Sequence, residues 1–168
     1  MTDQTLNTVN RLGAAVLGLH DELRAAVERS SGHSGETPAA IVAVGHQPGL
    51  SNDGLSRLLG LTHTGTVRLV DRLVAEGFAE RRAAVHDKRG VALHLTARGA
   101  ALRRRILKAR ETALIPVLAR LDEEEQASLA ALLDKMLQTV SRDDAHKLRI
   151  CRLCDGPACG ECPIRVAV

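Results

Sequence analysis

The chain has 168 residues, a formal net charge of +3, 45% hydrophobic and 26% charged residues, which suits one globular domain with a short appendage and argues against a disordered chain. Leu (25) and Ala (24) dominate while Phe78 is the one residue among Phe, Trp and Tyr, which favours helices and argues against an aromatic-rich β-sandwich or a base-stacking platform for single strands. The charge is uneven: Arg57 to Arg110 holds 13 Lys and Arg against 4 Asp and Glu, and the remainder holds 10 against 16, so a basic centre with the electrostatic footprint of a polyanion binder lies between acidic ends.

Leu6, Val9, Leu12, Val16, Leu19, Leu23 and Val27 recur at spacings of three and four, which predicts one stripe of a helix over residues 5–29. Ser30 to Thr37 breaks it. Thr37-Pro38 reads as a helix start, with Thr37 as N-cap, and the short apolar helix continues to His46 before Gln47-Pro48-Gly49. Ser51 caps the next helix, with Leu55, Leu58 and Leu59 inward and Gly60 as its stop. Leu61 crosses a tight turn, and Thr62 caps a further helix whose buried stripe is Val67, Leu69, Val70, Leu73 and Val74, ending at Gly77. Two short helices joined in this way form a helix-turn-helix pattern.

After Phe78 the period changes. Ala79 to Val85 and Val91 to Leu95 each read as a short strand, with the polar His86-Asp87-Lys88-Arg89-Gly90 between them, which predicts a β-hairpin with a charged tip. Thr96 caps a long helix through Leu102, Ile106, Ala109 and Ala113, with a kink expected at Pro116. Asp122 and Glu123 to Glu125 open a last long helix, where acidic residues suit the positive N-terminus; its stripe is Leu129, Leu132, Leu133, Met136, Leu137 and Val140, and it is expected to reach Arg149. The resulting fold class is mainly α, an α+β winged helix-turn-helix with long flanking helices and a short hairpin wing. Its expected divisions are an N-terminal helix (1–36), the helix-turn-helix and wing (37–98), the C-terminal long helices (99–149) and a cysteine tail (150–168). Residues 1–7 lack the basic and apolar regions of a signal peptide, and no apolar run approaches a membrane span, so a cytoplasmic protein is expected.

In a winged helix the second helix of the helix-turn-helix places its first side chains in a major groove of duplex DNA. Here those are Thr62, His63, Thr64 and Thr66, with Arg68 and Arg72 one and two turns further on. Hydroxyls and imidazole can reach phosphates or base edges, and Arg72 suits a phosphate contact or a salt bridge to neighbouring Asp71. Lys88 and Arg89 at the hairpin tip can reach the backbone or the narrow minor groove, while Asp87 orients Arg89 or caps the turn. Arg103-Arg104-Arg105 is a phosphate patch or an exposed helical face. No paired carboxylates, Ser/His/Asp set or phosphate-cradling glycine loop stands out, so no enzyme activity is expected.

The run Leu55 to Phe78, then Glu80-Arg81-Arg82, Asp87-Lys88-Arg89-Gly90 and Leu93 to Gly99, resembles the MarR family of transcriptional regulators. Its most diagnostic pieces are Val70-Asp71-Arg72-Leu73 leading into Gly77, and Asp87-x-Arg89-Gly90 followed by Leu95-Thr96-x-x-Gly99. The resemblance covers residues 5–148. It implies a winged-helix homodimer whose first helix and last two long helices form the interface and whose recognition helices read a pseudopalindromic operator. It also implies repression, relieved in many relatives by a small phenolic or other apolar ligand or by thiol oxidation. The chain departs from it at Gly65, in the first turn of the recognition helix, and in lacking any cysteine before Cys151, so an N-terminal redox cysteine cannot operate.

All four cysteines fall in the last 18 residues: Cys151, Cys154, Cys159 and Cys162, spaced C-x₂-C-x₄-C-x₂-C. A disulfide scaffold would spread its cysteines through the fold. Two C-x-x-C pairs can instead each grip a metal, and four thiolates complete a tetrahedral site. Zinc is the first reading, an iron–sulfur cluster the alternative, followed by a reversible dithiol switch and unligated thiols. His146 is expected to be solvated rather than a ligand. The resemblance says nothing firm about this tail. The reading is therefore a dimeric, sequence-specific DNA-binding regulator, a repressor as the resemblance implies, stabilised or tuned by a C-terminal metal or redox site; a small cysteine-based redox or electron-transfer protein is the alternative.

Overall fold

A computed structural model describes residues 2–83, 91–155 and 163–164. Helix α1 (Asp3–Ser31) starts where the Thr2 hydroxyl accepts the Thr5 N–H and stops at Gly32, whose φ of 75° suits a residue without a Cβ. Helix α2 (Thr37–His46) begins one residue earlier than the sequence predicts: Glu36 is the N-cap, without a side-chain bond, and Thr37 is already helical and buried. Its whole span from Thr37 to Val44 is buried, so packing, rather than a capping hydroxyl, fixes where it starts. Helices α3 (Asn52–Leu59) and α4 (His63–Ala75) have the expected caps, Ser51 accepting from Gly54 and Thr62 accepting from Gly65. Between them Gly60 takes φ 68° and closes α3.

Strands β1 (Ala79–Ala83) and β2 (Val91–Leu95) pair antiparallel, with Ala79 opposite Leu95 and Ala83 opposite Val91. The segment after α2 adds one bridge on the far side: Gly49 N–H donates to Leu93 C=O and Leu93 N–H to Leu50 C=O. The hairpin tip, 84–90, lies outside the described residues. Thr96 joins wing to helix α5 (Ala97–Leu118), accepting the Gly99 N–H while donating to the Gly77 carbonyl at 2.6 Å. The helix runs through Pro116 and ends two residues later.

Helix α6 (Glu123–Val140) opens with a reciprocal capping box between Asp122 and Glu125. The expected single helix to Arg149 is in fact two. Helix α6 ends at Val140, and Asp143 caps a short α7 (Asp144–Ile150) by accepting the His146 N–H. A local Asp–backbone bond competes with helix propagation at this point, and the break lets α7 turn back onto α3.

The core surrounds α2, which packs on α5, α3 and β2. Ile41, Leu55, Val70, Leu73, Leu93 and Ile106 are almost wholly buried there. Of the predicted α1 stripe, Val27 enters this core and Leu23 packs at its edge, whereas Leu6, Val9, Leu12 and Val16 stay exposed. Helix α6 buries none of its residues, and Leu132, Leu133, Met136 and Val140 face outward. Among the described residues no helix is long and apolar enough to cross a membrane.

Candidate nucleic-acid interface

Helix α4 has two faces set by its period. Thr66, Leu69, Val70 and Leu73 stand at i, i+3, i+4 and i+7 and are buried. The opposite side exposes Thr62, His63, Thr64, Arg68 and Arg72. Five of the six residues predicted for this helix therefore share solvent access at or beyond its N-terminus. Thr66 is the correction. Its side chain is fully buried and its hydroxyl donates to the Thr62 carbonyl at 3.0 Å, so it belongs to the core rather than the groove-facing set. Val67, expected in the stripe, is only half-buried.

The exposed face is held by neighbours. His63 Nδ1 lies 3.1 Å from the Asp53 carboxylate of α3, which fixes the ring near the helix start. Asp71 pairs across to Arg81 of β1 at 2.6 Å rather than to neighbouring Arg72, so Arg72 keeps its guanidinium free of that carboxylate. Gly65 sits where a Cβ would come 3.1 Å from the Thr62 hydroxyl, so the glycine eases the cap itself. Lys88 and Arg89 lie outside the described residues. The run Arg103 to Arg105 is not one patch: Arg103 turns inward to His46, Arg104 is exposed, and Arg105 donates to the Ser30 carbonyl.

The cysteine segment follows α7. Cys151 is the C-cap of α7, and the Cys154 N–H donates to its carbonyl at 2.9 Å. This turn brings the two side chains into hydrogen-bonding contact. The Cys151 bond, and then the positive charges of Arg110 and Arg152, draw the Cys154 thiol down to about 6 against the opposing effect of burial. Cys159 and Cys162, the other two predicted ligands, lie outside the described residues, as do any distances that would complete a four-sulfur site. His146 is half-buried, with its ring nitrogen directed at the Arg142 N–H.

A cavity of about 490 Å³ lies beside this segment. Leu23, Val27 and Leu114 give it an apolar wall, Arg24 and Arg110 approach from α1 and α5, and Arg152 with Cys154 comes from the tail. Sequence reading named Leu23, Val27 and Cys154 in other roles but missed Arg24, Arg110 and Arg152, which are far apart in sequence and meet only through the fold.

Residues 34–90 match the model of the MarR family. The chain is similar to the HTH-type transcriptional regulator PetP of Rhodobacter capsulatus, 29% identical over 110 residues, a segment that spans 66% of this chain and 66% of that protein. In fold it is similar to YusO of Bacillus subtilis, with a TM-score of 0.70 at 20% identity over 82% of this chain and 98% of that one. It is also similar to the MarR family protein Rv2887 of Mycobacterium tuberculosis in complex with salicylic acid, with a TM-score of 0.57 and 29% identity over 77% of this chain and 93% of the other. The same Mycobacterium protein in complex with DNA gives 0.59 and 26% identity over 74% and 96%. The helix-turn-helix, the hairpin behind it and the flanking helices are thus features this chain shares in fold with these proteins, and its segment 34–90 is similar to the MarR family model.

Proposed function

We propose that this chain is a dimeric, sequence-specific repressor that reads a pseudopalindromic operator in the cytoplasm and is tuned by a small-molecule effector and by its C-terminal cysteines. The observation that carries the reading is the division of α4 into a buried stripe and an exposed face of Thr62, His63, Thr64, Arg68 and Arg72. Threonine and histidine near the helix start suit base edges, and arginines further along suit phosphates. Lys88 and Arg89 of the wing would add phosphate or minor-groove contacts. The DNA complex of the Mycobacterium relative supports this use of the fold.

Dimerisation is supported by surface chemistry. Val16 (58% exposed), Leu17 (68%), Ile115 (55%) and Leu132 (56%) leave extended apolar faces on α1, the end of α5 and α6. Monomeric proteins rarely leave such patches in water, and a second copy of the chain covers them. The effector reading rests on the cavity between α1, α5 and the tail, where Glu28 and Glu36 also line the wall and Glu28 pairs with Arg24 at 3.7 Å, but Arg110 and Arg152 beside the apolar wall suit a small organic anion with an apolar body. The salicylic acid complex of the relative is consistent with that class.

Cys151, Cys154, Cys159 and Cys162 are assigned to one metal, zinc first and an iron–sulfur cluster as the alternative. The contact between Cys151 and Cys154 and the lowered thiol of Cys154 suit thiolate ligation. The match of residues 34–90 to the MarR family model favours regulation over the small redox-carrier alternative.

The test is fluorescence anisotropy of the full chain against duplexes selected from a random pool, repeated across salt concentrations. Salt-dependent binding with preference for one two-fold sequence supports the reading. No preference for any duplex in either the zinc-loaded or the reduced, metal-free protein overturns it. Metal content and colour of protein purified without oxygen separate zinc from iron–sulfur.

A further inference from the structure

Helix α7 and the first cysteine pair do not hang from the end of α6. They return to the helix-turn-helix and to the seam between α2 and α5, by three separate contacts. Helix α7 packs on α3. The Arg149 guanidinium covers Gly60, the residue that turns α3 into α4, so closely that a Cβ there would stand 2.9 Å from Arg149 Cζ. The Cys154 carbonyl meets His46 Nε2 at 2.6 Å, and His46 Nδ1 meets the Arg103 guanidinium at 3.2 Å.

The last contact fixes its own chemistry. A guanidinium only donates and a carbonyl only accepts. His46 must therefore accept at Nδ1 and donate from Nε2, which makes it the neutral ring with its proton on Nε2. One side chain of α2 then links α5, through Arg103, to the backbone of a cysteine predicted to bind metal. Gly45 makes room for this: a Cβ there would fall 2.2 Å from Arg103 Cδ. Leu148 before the knuckle and Leu153 within it pack against the core.

We propose that residues 144–154 form a strap that transmits the state of the cysteine unit to the turn preceding the recognition helix, with His46 as its positioning residue and Arg149 as its contact on the turn. The proposal rests on the reading of the four cysteines as one unit. When that unit is formed, the Cys151–Cys154 turn holds the Cys154 carbonyl on His46 and α7 against α3. When it is lost, the carbonyl leaves His46, Arg149 leaves Gly60, and the start of α4 is held less firmly.

The test uses the full chain and hydrogen–deuterium exchange of peptides covering residues 52–62. One ordinary hydrogen bond corresponds to about five-fold in an opening equilibrium. His46→Ala is expected to speed exchange in 52–62 by about that factor, and Arg149→Ala, which removes packing on Gly60, to speed it in the same direction. His46→Gln, whose amide can both accept from Arg103 and donate to Cys154, restores the native rate. That rescue separates the two hydrogen bonds from mere packing of the ring, and Arg149→Ala covers the case in which His46→Ala fails to fold. Unchanged exchange in 52–62 in both Arg149→Ala and a folded His46 variant overturns the strap.

The metal arm uses zinc alone, added to reduced protein and then removed by a chelator. Faster exchange in 52–62 after removal supports the coupling. Stoichiometric zinc binding through thiols with no change in 52–62 overturns the coupling and leaves the cysteine site standing. Failure to bind zinc or iron overturns the cysteine reading, and the variants then decide the strap.

Discussion

Thr66→Val separates core from groove on a residue where sequence and structure disagree. Thr66 is fully buried, and its hydroxyl donates to the Thr62 carbonyl at 3.0 Å. That carbonyl also receives the Thr66 backbone N–H at 2.9 Å. Valine is close to threonine in size, so it opens no cavity. It removes one net hydrogen bond, worth about 1 kcal/mol, yet leaves no buried acceptor unsatisfied. The methyl that replaces the hydroxyl returns a similar amount by burial, about 0.8 kcal/mol. The two nearly cancel, and the expected change in unfolding free energy is within about 1 kcal/mol of zero. Thr66→Ala lacks that compensation and leaves a small void, so it costs about 1–2 kcal/mol. Urea denaturation followed by circular dichroism measures both. In anisotropy titrations both folded variants bind the operator with native affinity, because no Thr66 atom reaches solvent. A Thr66→Val protein with native stability and a ten-fold loss of operator affinity would refute the placement of this side chain in the core.

Three further outcomes follow from other parts of the molecule. Gly99→Ala places a Cβ 1.9 Å from the Phe78 carbonyl oxygen, a backbone atom that cannot step aside; a loss of roughly 3 kcal/mol or more is expected in the same denaturation assay, since overpacking of this kind costs 1–3 kcal/mol even where side chains can adjust. Arg72→Ala removes an exposed cation from the face of α4, and weakens DNA binding similarly across sequences while lowering the slope of log affinity against log salt by about one. Leu133→Glu puts a charge on the outward stripe of α6, where Leu133 is 43% exposed in the single chain; sedimentation equilibrium is expected to show a shift from dimer toward monomer with the helical circular dichroism of each chain kept.

The legible parts of this fold are those whose signals are local. Thr62 and Thr96 each accept the N–H three residues on, as a capping threonine does, and the glycines at 32, 60 and 77 take the positive φ that the chain turns require. Thr66 shows where such reading stops. Residues 66, 69, 70 and 73 keep the helical period, so the spacing alone gave the right face; treating a hydroxyl as a mark of solvent shifted the stripe to Val67. A threonine inside a helix can bond its own i−4 carbonyl and then pack like a valine. The stripe on α1 and α6 was equally legible, but not its partner, because no period within one chain states which surface covers it. The break between α6 and α7 fails for a different reason. Its local cause, Asp143, was in view, but what rewards breaking the helix is α3, more than 80 residues earlier, and contacts at that separation leave no mark on local periodicity. The cavity arginines and the Arg103–His46–Cys154 chain are of the same kind. What distinguishes this chain from an ordinary winged helix is therefore built from residues remote in sequence, around a tail whose cysteine spacing alone had announced it.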